Sequence, residues 1–489
     1  MVTYNLRDYQ EYILSELKNL YMGGARRIIV RLPTGGGKGL LMSQIVNNTL
    51  RKGNECLTVL YGSDLLEQTR RNYLKYHSIN SGIIQGSTRF YYENSNIASI
   101  STIIRRDYDL SKYSIVIIDE AHQCTSPTYK RLFDRLNPTT LVLGFSATPY
   151  AVNNKYLPFW EHFINGASYD DLKSQGFLVP YKYYAPKEQI NIQGVKTING
   201  DYDIGQLAER ASESRIVGDI VDTYKKLRDN KRCFLFAVNI DHSKIMAQKF
   251  NDEGISAVHC DGESSVEHRQ DSIERFKRGE IKVLTNVNIF STGLDVPEAE
   301  VFISARPTKS LVLFIQQVGR VLRPANGKNH AIIIDHSSNY TRHGFPDDDH
   351  EPQIELINGK EKKERSKSGP TINAKLCPGC TLLVRKEIDV CPECGFAFPK
   401  TIRKTDEEDG EIVDIGDRIK RYKEIRKELE KFQKMLANRR KSDGSPYHPW
   451  WVWYQMMRRY DVNTLKSVFR RDFPNTLFKK HLIKGALDV

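Results

Sequence analysis

Four short apolar runs, Arg27-Ile28-Ile29-Val30, Leu57-Thr58-Val59-Leu60, Ile115-Val116-Ile117-Ile118 and Leu141-Val142-Leu143, are separated by segments long enough for a helix. Runs this short and this continuously apolar read as strands covered on both faces, as in a parallel sheet flanked by helices. A second series begins after Val179, with Cys233-Phe234-Leu235-Phe236, Ile281-Lys282-Val283-Leu284, Val301-Phe302-Ile303 and Ala331-Ile332-Ile333-Ile334. Two doubly wound α/β domains are expected, and 489 residues leave room for two or three cores. No apolar run repeats at a fixed short period, which argues against a solenoid. None approaches the roughly 20 apolar residues of a membrane span. Met1 to Gln10 is too polar for a secretory signal, so a cytoplasmic protein with no membrane partner is expected.

Beyond the second series the composition changes. Asp347 to Pro370, rich in Lys, Glu, Asp and Ser, reads as a linker, and Thr401 to Gly416 as a second polar hinge. Tyr422, Ile425, Leu429, Phe432 and Leu436 then recur at spacings of three and four, which makes one apolar helix face. Two heptads fall short of the roughly three to four of a coiled coil, so docking on the protein's own surface is expected rather than dimerisation. The net charge is +13, and Arg421 to Val489 holds 17 basic against 7 acidic residues. Such a field attracts phosphate polyanions, although a solvated surface would look the same.

Arg31-Leu32-Pro33-Thr34-Gly35-Gly36-Gly37-Lys38-Gly39 follows an expected strand and leads into the helix-like Leu40 to Leu50. That order is the setting of a phosphate loop. Glycines let the backbone curl so that its N–H groups meet the β-phosphate, the helix N-terminus adds positive potential, and Lys38 neutralises the β/γ oxygens. Pro33, Thr34, Gly35, Gly36, Gly37, Lys38 and Gly39 are therefore assigned to ATP.

Ile115 to Ile118 runs into Asp119-Glu120-Ala121-His122, which puts acids at the carboxyl end of a buried strand. Asp119 suits a Mg²⁺ ligand and Glu120 suits polarising the attacking water. In the second series Gln316-Gln317-Val318-Gly319-Arg320-Val321-Leu322-Arg323 spaces two arginines three apart, on one face if helical. Arg320 and Arg323 have the character of arginine fingers, which stabilise transition-state charge on the γ-phosphate from across a domain cleft.

Taken in order, these residues resemble the DEAH-type helicases of superfamily two over roughly residues 3 to 340. The resemblance implies two tandem RecA-like domains and a catalytic set of Lys38, Asp119, Glu120, His122, Gln316, Arg320 and Arg323. Leu6-Arg7-Asp8-Tyr9-Gln10 matches the family's adenine-recognition segment, with Gln10 implied to read the base and Arg7 to support it. Ser146-Ala147-Thr148 matches its coupling motif. Ser99, Thr102 and Gly62 to Gln68 fall where the family touches the nucleic-acid backbone, and Gly293 and Asp295 match its fifth motif. Thr285 to Gly293 looks like the bacterial RadD group, itself related to the XPB-like helicases. One departure stands out: the family's loop ends Gly-Lys-Thr or Gly-Lys-Ser, whereas position 39 is Gly. A water can take the missing hydroxyl's place on Mg²⁺, so weakened metal affinity is expected before lost activity.

RadD-like proteins carry a cysteine module after the motor, and here Cys377-Pro378-Gly379-Cys380, ten residues, then Cys391-Pro392-Glu393-Cys394 fits that spacing. Two such pairs point to a tetrahedral thiolate site for structural Zn²⁺, while Cys56, Cys124, Cys233 and Cys260 are scattered. The site would staple a small fold, with or without contacting DNA. In the tail, Trp450, Trp451 and Trp453 either stack on bases while Arg458 and Arg459 hold phosphates, or form the core of a small helical module.

The expected plan is thus domain 1 over residues 1–165, domain 2 over 166–345, a linker over 346–370, a zinc module over 371–400 and a basic, aromatic helical module over 417–489. The expected activity is an ATP-dependent helicase or translocase, its cofactors ATP, Mg²⁺ and Zn²⁺. Single-stranded or branched DNA is the expected partner, with RNA the other polymer and a single-strand-binding protein a candidate companion. Repair, recombination or replication is the role implied. The rival readings are an ATP-modulated DNA clamp and the motor subunit of a restriction-type system.

Overall fold

The computed structural model describes residues 4–86, 88–89, 94–149, 157–186, 190–198, 200–211, 214–227, 231–290, 296–348, 350, 354–356 and 373–399, and further on 423–425, 427–432, 434–435, 456 and 459. The chain divides into two compact units, Met1–Pro399 and Lys400–Val489. Among the described residues no helix is long and apolar enough to cross a membrane.

In the first unit the expected strands are β1 (Arg27–Arg31), β2 (Cys56–Leu60), β6 (Ile115–Asp119) and β7 (Leu141–Ser146), joined by β3 (Gly82–Gln85), β4 (Thr88–Arg89), β5 (Ser95–Ser99) and β9 (His162–Asn165). They form one sheet in the order β4-β3-β5-β2-β6-β7-β1-β9, parallel except for β4. β8 (Leu157–Trp160) stands outside it. β5 escaped notice because Ser95-Asn96-Ile97-Ala98-Ser99 is mostly polar, yet all five residues are buried. Their side chains are satisfied in place: Ser95 and Ser81 hydroxyls lie 2.7 Å apart, and Asn96 Nδ2 donates to Tyr113 Oη at 3.2 Å.

The second sheet is wholly parallel in the order β10-β17-β16-β13-β15-β14, with β10 (Tyr181–Tyr184), β13 (Cys233–Phe236), β14 (Ala257–His259), β15 (Val283–Asn286), β16 (Val301–Ser304) and β17 (Ala331–Asp335). A small hairpin of β11 (Thr197–Ile198) and β12 (Asp201–Tyr202) stands apart. Two RecA-like sheets, each sandwiched by helices, are therefore present.

The start of the expected linker is built into the fold. Asp347 accepts from the Tyr181 hydroxyl, and the Arg385 guanidinium reaches both Asp348 at 2.7 Å and Asp347 at 3.3 Å. β18 (Ile354–Leu356) pairs with β8. The cysteine segment forms a hairpin of β19 (Ala374–Leu376) and β20 (Leu383–Arg385), and its Leu382 and Val384 share a core with Tyr184, Ile332 and Ile334.

In the second unit Ile425, Leu429 and Phe432 are buried on helical backbone, matching three of the five residues of the expected apolar face. Tyr422, Leu436, Trp450, Trp451, Trp453 and Arg458 lie outside the described residues. Arg459 donates to Glu428 at 2.5 Å and sits 5.3 Å from the Phe432 ring centre, so this candidate phosphate contact is engaged within its own unit.

Candidate active site

β1 delivers the chain into a loop that helix Lys38–Leu50 closes. Gly35 and Gly37 have φ of 88° and 76°, a left-handed backbone that glycine alone adopts without strain. Side chains would also collide there: a Cβ at 35 would lie 2.7 Å from Leu178 Cδ2, and one at 37 would lie 2.5 Å from Gln10 Nε2. The loop is braced from outside. Gln10 Nε2 donates to the Gly36 and Gly37 carbonyls, both at 3.2 Å, and the Tyr9 hydroxyl donates to Gly36 at 2.9 Å. Gln10 Oε1 accepts from the Arg7 N–H at 3.0 Å, and the side chain is fully buried. The residue expected to read the base thus holds the loop's shape here.

β6, two strands from β1, carries the acids to the same edge of the sheet. Lys38 Nζ lies 3.3 Å from Glu120 Oε1 and 3.9 Å from Asp119 Oδ1. Glu120 itself has φ 51° and ψ 48°, a strained conformation for a residue with a side chain, typical of sites where geometry outranks local stability. Burial opposes its charge, but Lys38, the hydrogen bond and charge of His122, and Arg320 overcome that and hold its carboxyl far below the ordinary range. Asp119 goes the other way: burial raises it, more than Lys38 can offset, with Glu120 adding repulsion. A buried pair with one firmly ionised member suits cation and water handling.

Two further links radiate from Glu120. His122 Nδ1 lies 3.3 Å from Glu120 Oε2 and 3.2 Å from Ser146 Oγ, and Ser146 Oγ accepts from the Thr148 N–H at 3.0 Å. His122 therefore joins the acids to Ser146-Ala147-Thr148. From the second domain, Gln316 Nε2 donates to Glu120 Oε2 at 3.2 Å.

The arginines are placed otherwise than expected. Helix Leu311–Val318 ends before either of them, and Gly319, Arg320 and Val321 continue as tight turns. They do not share a helix face. Gly319 comes so close to the phosphate loop that a Cβ there would meet Thr34 Cβ at 3.0 Å. Arg320, buried, exerts its charge on Glu120, whereas Arg323 acts on Lys328. Lys328 went unnoticed in the sequence, where it is one basic residue among many. Its Nζ donates to the Pro297 and Ala299 carbonyls at 2.9 and 2.5 Å, and burial pushes its ammonium down to about 7. A cavity of about 210 Å³ lies between the domains beside Pro33, Thr34, Gly319, Leu322, Asp347 and Asp348.

Ser99 and Thr102 are buried and have local partners, Ser101 Oγ at 2.9 Å and the Gly86 N–H at 3.1 Å. Gln68 is half-buried on helix Ser63–His77, which begins after Gly62. Gly293 and Asp295 lie outside the described residues.

The four cysteines converge: Sγ atoms of Cys377, Cys380, Cys391 and Cys394 all lie within 4.8 Å of one another. The Cys377–Cys394 and Cys380–Cys391 sulfurs are 3.5 and 3.6 Å apart. Thiolates about 2.3 Å from a tetrahedral Zn²⁺ stand at about that separation, so the donor set fits. The two pairs share one backbone design. The residue after each second cysteine is left-handed, Thr381 at φ 60° and Gly395 at φ 73°, and the Cys377 and Cys391 N–H groups donate to Leu382 and Phe396.

Comparison with known proteins converges on one group. A family model described as "Type III restriction enzyme, res subunit" matches residues 3–151, and one described as "Helicase conserved C-terminal domain" matches 215–325. A 51.5 kDa protein of a Lactococcus phage is 31% identical, over 76% of this chain and 78% of its own length. A protein of Saccharomyces cerevisiae carried under the name ATP-dependent helicase IRC3 is 30% identical over 68% of this chain, which spans about half (51%) of that relative. A solved fragment of an HsdR-type subunit of a type I restriction enzyme from Vibrio vulnificus superposes with a TM-score of 0.55 at 20% identity, covering 71% of this chain and 67% of the fragment, and shares the fold.

Proposed function

Since the chain belongs to the superfamily-two helicases, we propose that it is an ATP-driven DNA motor whose α/β domains close on the nucleotide between Lys38 and the turn bearing Arg320 and Arg323. Membership makes it a nucleic-acid-stimulated ATPase. The observation that carries the reading is Glu120, which touches Lys38 of its own domain at 3.3 Å and Gln316 of the other at 3.2 Å. An acid held from both sides can orient the attacking water only while the domains are together, which ties hydrolysis to closure and hence to movement along a strand.

Asp119 and Glu120 fit a divalent cation, with Asp119 the direct ligand; bound there, Mg²⁺ supplies charge neutralisation at the phosphate oxygens. Gly39 has no hydroxyl to contribute. A Cβ at position 39 would lie 3.1 Å from Asn72 Nδ2, so Asn72 must yield by a few tenths of an ångström to admit a side chain. Gly39→Thr is expected to raise apparent Mg²⁺ affinity several-fold in a metal titration of phosphate release. Neither affinity nor rate rising, even with Asn72→Ala added to make room, would count against this account of the metal site.

The cysteine cluster is proposed as a structural Zn²⁺ site, with the hairpin it staples as part of the motor. Purified protein is expected to release about one Zn²⁺ per chain to a chromogenic chelator after thiol modification. Cys391→Ser should lower the melting temperature by several degrees, since a structural zinc site contributes folding free energy directly. No metal released, or an unchanged melting temperature, would refute the assignment.

DNA as substrate, a DEAH and RadD-like affiliation, and a part in repair, recombination or replication rest on the motif resemblance; Ser99, Thr102, Gln68, Gly293, Asp295, Arg458 and Arg459 are the proposed nucleic-acid and fifth-motif contacts. Two observations favour other readings. Gly39 suits a clamp that binds ATP and turns it over slowly, and the restriction-enzyme relatives suit a motor subunit serving a separate nuclease. Phosphate release measured across single-stranded, duplex and branched DNA and RNA separates motor from clamp: either kind of motor is stimulated by its polymer, whereas a clamp shows at most a slow release that no polymer raises.

A further inference from the structure

The hairpin of β11 and β12 joins neither large sheet, and two strands of two residues do not hold together unaided. What seats it is Asp201. Its Oδ1 accepts from the Lys309 N–H at 2.7 Å and its Oδ2 from the Thr308 hydroxyl at 2.8 Å, with Arg306 Nη2 3.9 Å from that second oxygen. These partners follow β16, so the hairpin stands at the carboxyl edge of the second sheet, the edge at which parallel α/β sheets take their ligands. Arg306 Nη1 also donates to Asn288 Oδ1 at 2.7 Å, which ties the segment after β15 to the same place.

Cations gather here. Lys309 Nζ donates to the Thr197 hydroxyl and lies 4.8 Å from the Tyr202 ring centre. The Arg342 guanidinium carbon lies 5.5 Å from the same ring, its nitrogens held by the Thr308 and Ser337 carbonyls at 3.1 and 2.6 Å. Lys309 and Lys196 are exposed. The hairpin's acids are engaged within the fold, Asp201 as above and the neighbouring Asp203 by the Gln206 N–H at 2.8 Å. Amid this positive field the turn presents Ile198, 52% exposed. Lys309 stands just before helix Leu311–Val318, whose far end brings Gln316 to Glu120.

We propose that this hairpin, together with Lys309, is a docking surface for one unpaired nucleic-acid strand: Lys309 and Lys196 hold backbone phosphates, and Ile198 packs against a base. The assignment rests on the reading of the chain as a nucleic-acid motor and adds a contact outside the residues named for it. An unpaired strand offers anionic phosphates and apolar base faces together, whereas a duplex turns its base faces inward and presents phosphates outward. A cationic rim around an exposed isoleucine matches the unpaired strand.

The test is fluorescence anisotropy of the full chain with labelled oligothymidylate or oligouridylate, whichever the unaltered chain binds more tightly, with phosphate release measured alongside. Lys309→Ala should raise the Kd about tenfold and flatten the dependence of log Kd on log salt by about 0.7, the share of one phosphate contact on a single strand. Lys309→Arg should restore both. Ile198→Ser should raise the Kd several-fold for the single strand and leave that for a duplex of the same length unchanged. Unstimulated phosphate release should match the unaltered chain in all three variants, which reports an intact fold and nucleotide site. The oligonucleotide concentration giving half-maximal stimulation should rise with the Kd. An unchanged single-strand Kd in Lys309→Ala or Ile198→Ser, or equal loss of duplex and single strand in Ile198→Ser, overturns the inference. If no polymer binds or stimulates the unaltered chain, the motor reading itself is wrong. If a polymer stimulates it and Lys309→Ala responds identically, the hairpin assignment alone falls.

Discussion

Replacing Lys38 by alanine is expected to lower nucleic-acid-stimulated ATP hydrolysis by at least a factor of about 100 to 1,000, the scale on which one preorganised electrostatic contact to the reacting group counts. The change removes two things at once. Lys38 would no longer neutralise the phosphate oxygens, and Asp119 and Glu120 would lose the cation that lies within 4 Å of both. Glu120 stays ionised despite burial through Lys38 first, then His122 and Arg320. Without the lysine, both carboxyls lose the largest influence opposing burial, and both are expected to shift upward. A Glu120 carboxyl shifted in that direction is less often in the ionised form that accepts a proton from the attacking water. Phosphate release by Lys38→Ala, checked against an unchanged melting curve to exclude misfolding, should be near background; a rate equal to that of the unaltered chain would sink the motor reading.

Arg320→Ala is the second large effect, expected to cost a factor of about 1,000 or more in kcat, as loss of an arginine finger does elsewhere. Arg320→Lys should not rescue it, because an ammonium lacks the planar fork that spans two phosphate oxygens. The two arginines are expected to differ. Arg320 sits in the turn after helix Leu311–Val318, with its charge felt at Glu120, while Arg323's charge is felt at Lys328. Arg323→Ala should therefore be the milder variant for hydrolysis at saturating ATP. Single-turnover rates for both would decide the matter, and a fully active Arg320→Ala would remove the cross-domain finger from the mechanism.

Much of this was legible from residue order because its causes are local. Continuous apolar runs make doubly covered strands wherever they lie, and strand, glycines, lysine and helix in sequence leave a phosphate loop little freedom. The cysteine spacing likewise declared its own geometry. What stayed hidden depends on partners distant in the chain. β5 looks like a loop until Ser81 and Tyr113 arrive to satisfy Ser95 and Asn96. A Gln-Gln-Val-Gly-Arg stretch looks helical throughout, yet the helix stops at Val318, where Gly319 must come within reach of Thr34. Polarity marked Asp347 and Asp348 as tether, but polarity cannot disclose that Arg385 and Tyr181 will claim them.

The seat of the cysteine hairpin carries a consequence for solubility. β10 is the outermost strand of the second sheet, and an outermost strand presents a row of unpaired backbone groups that another chain can extend. Here Tyr184 bridges to Leu382 and the Ala185 N–H donates to Thr381, so the hairpin covers the end of that edge. A chain cut at the end of β17 would retain the motifs needed for ATP and yet expose a flat template for association. The hairpin that carries the four cysteines, far from the phosphate loop in sequence, thereby shields the end of that edge from another chain.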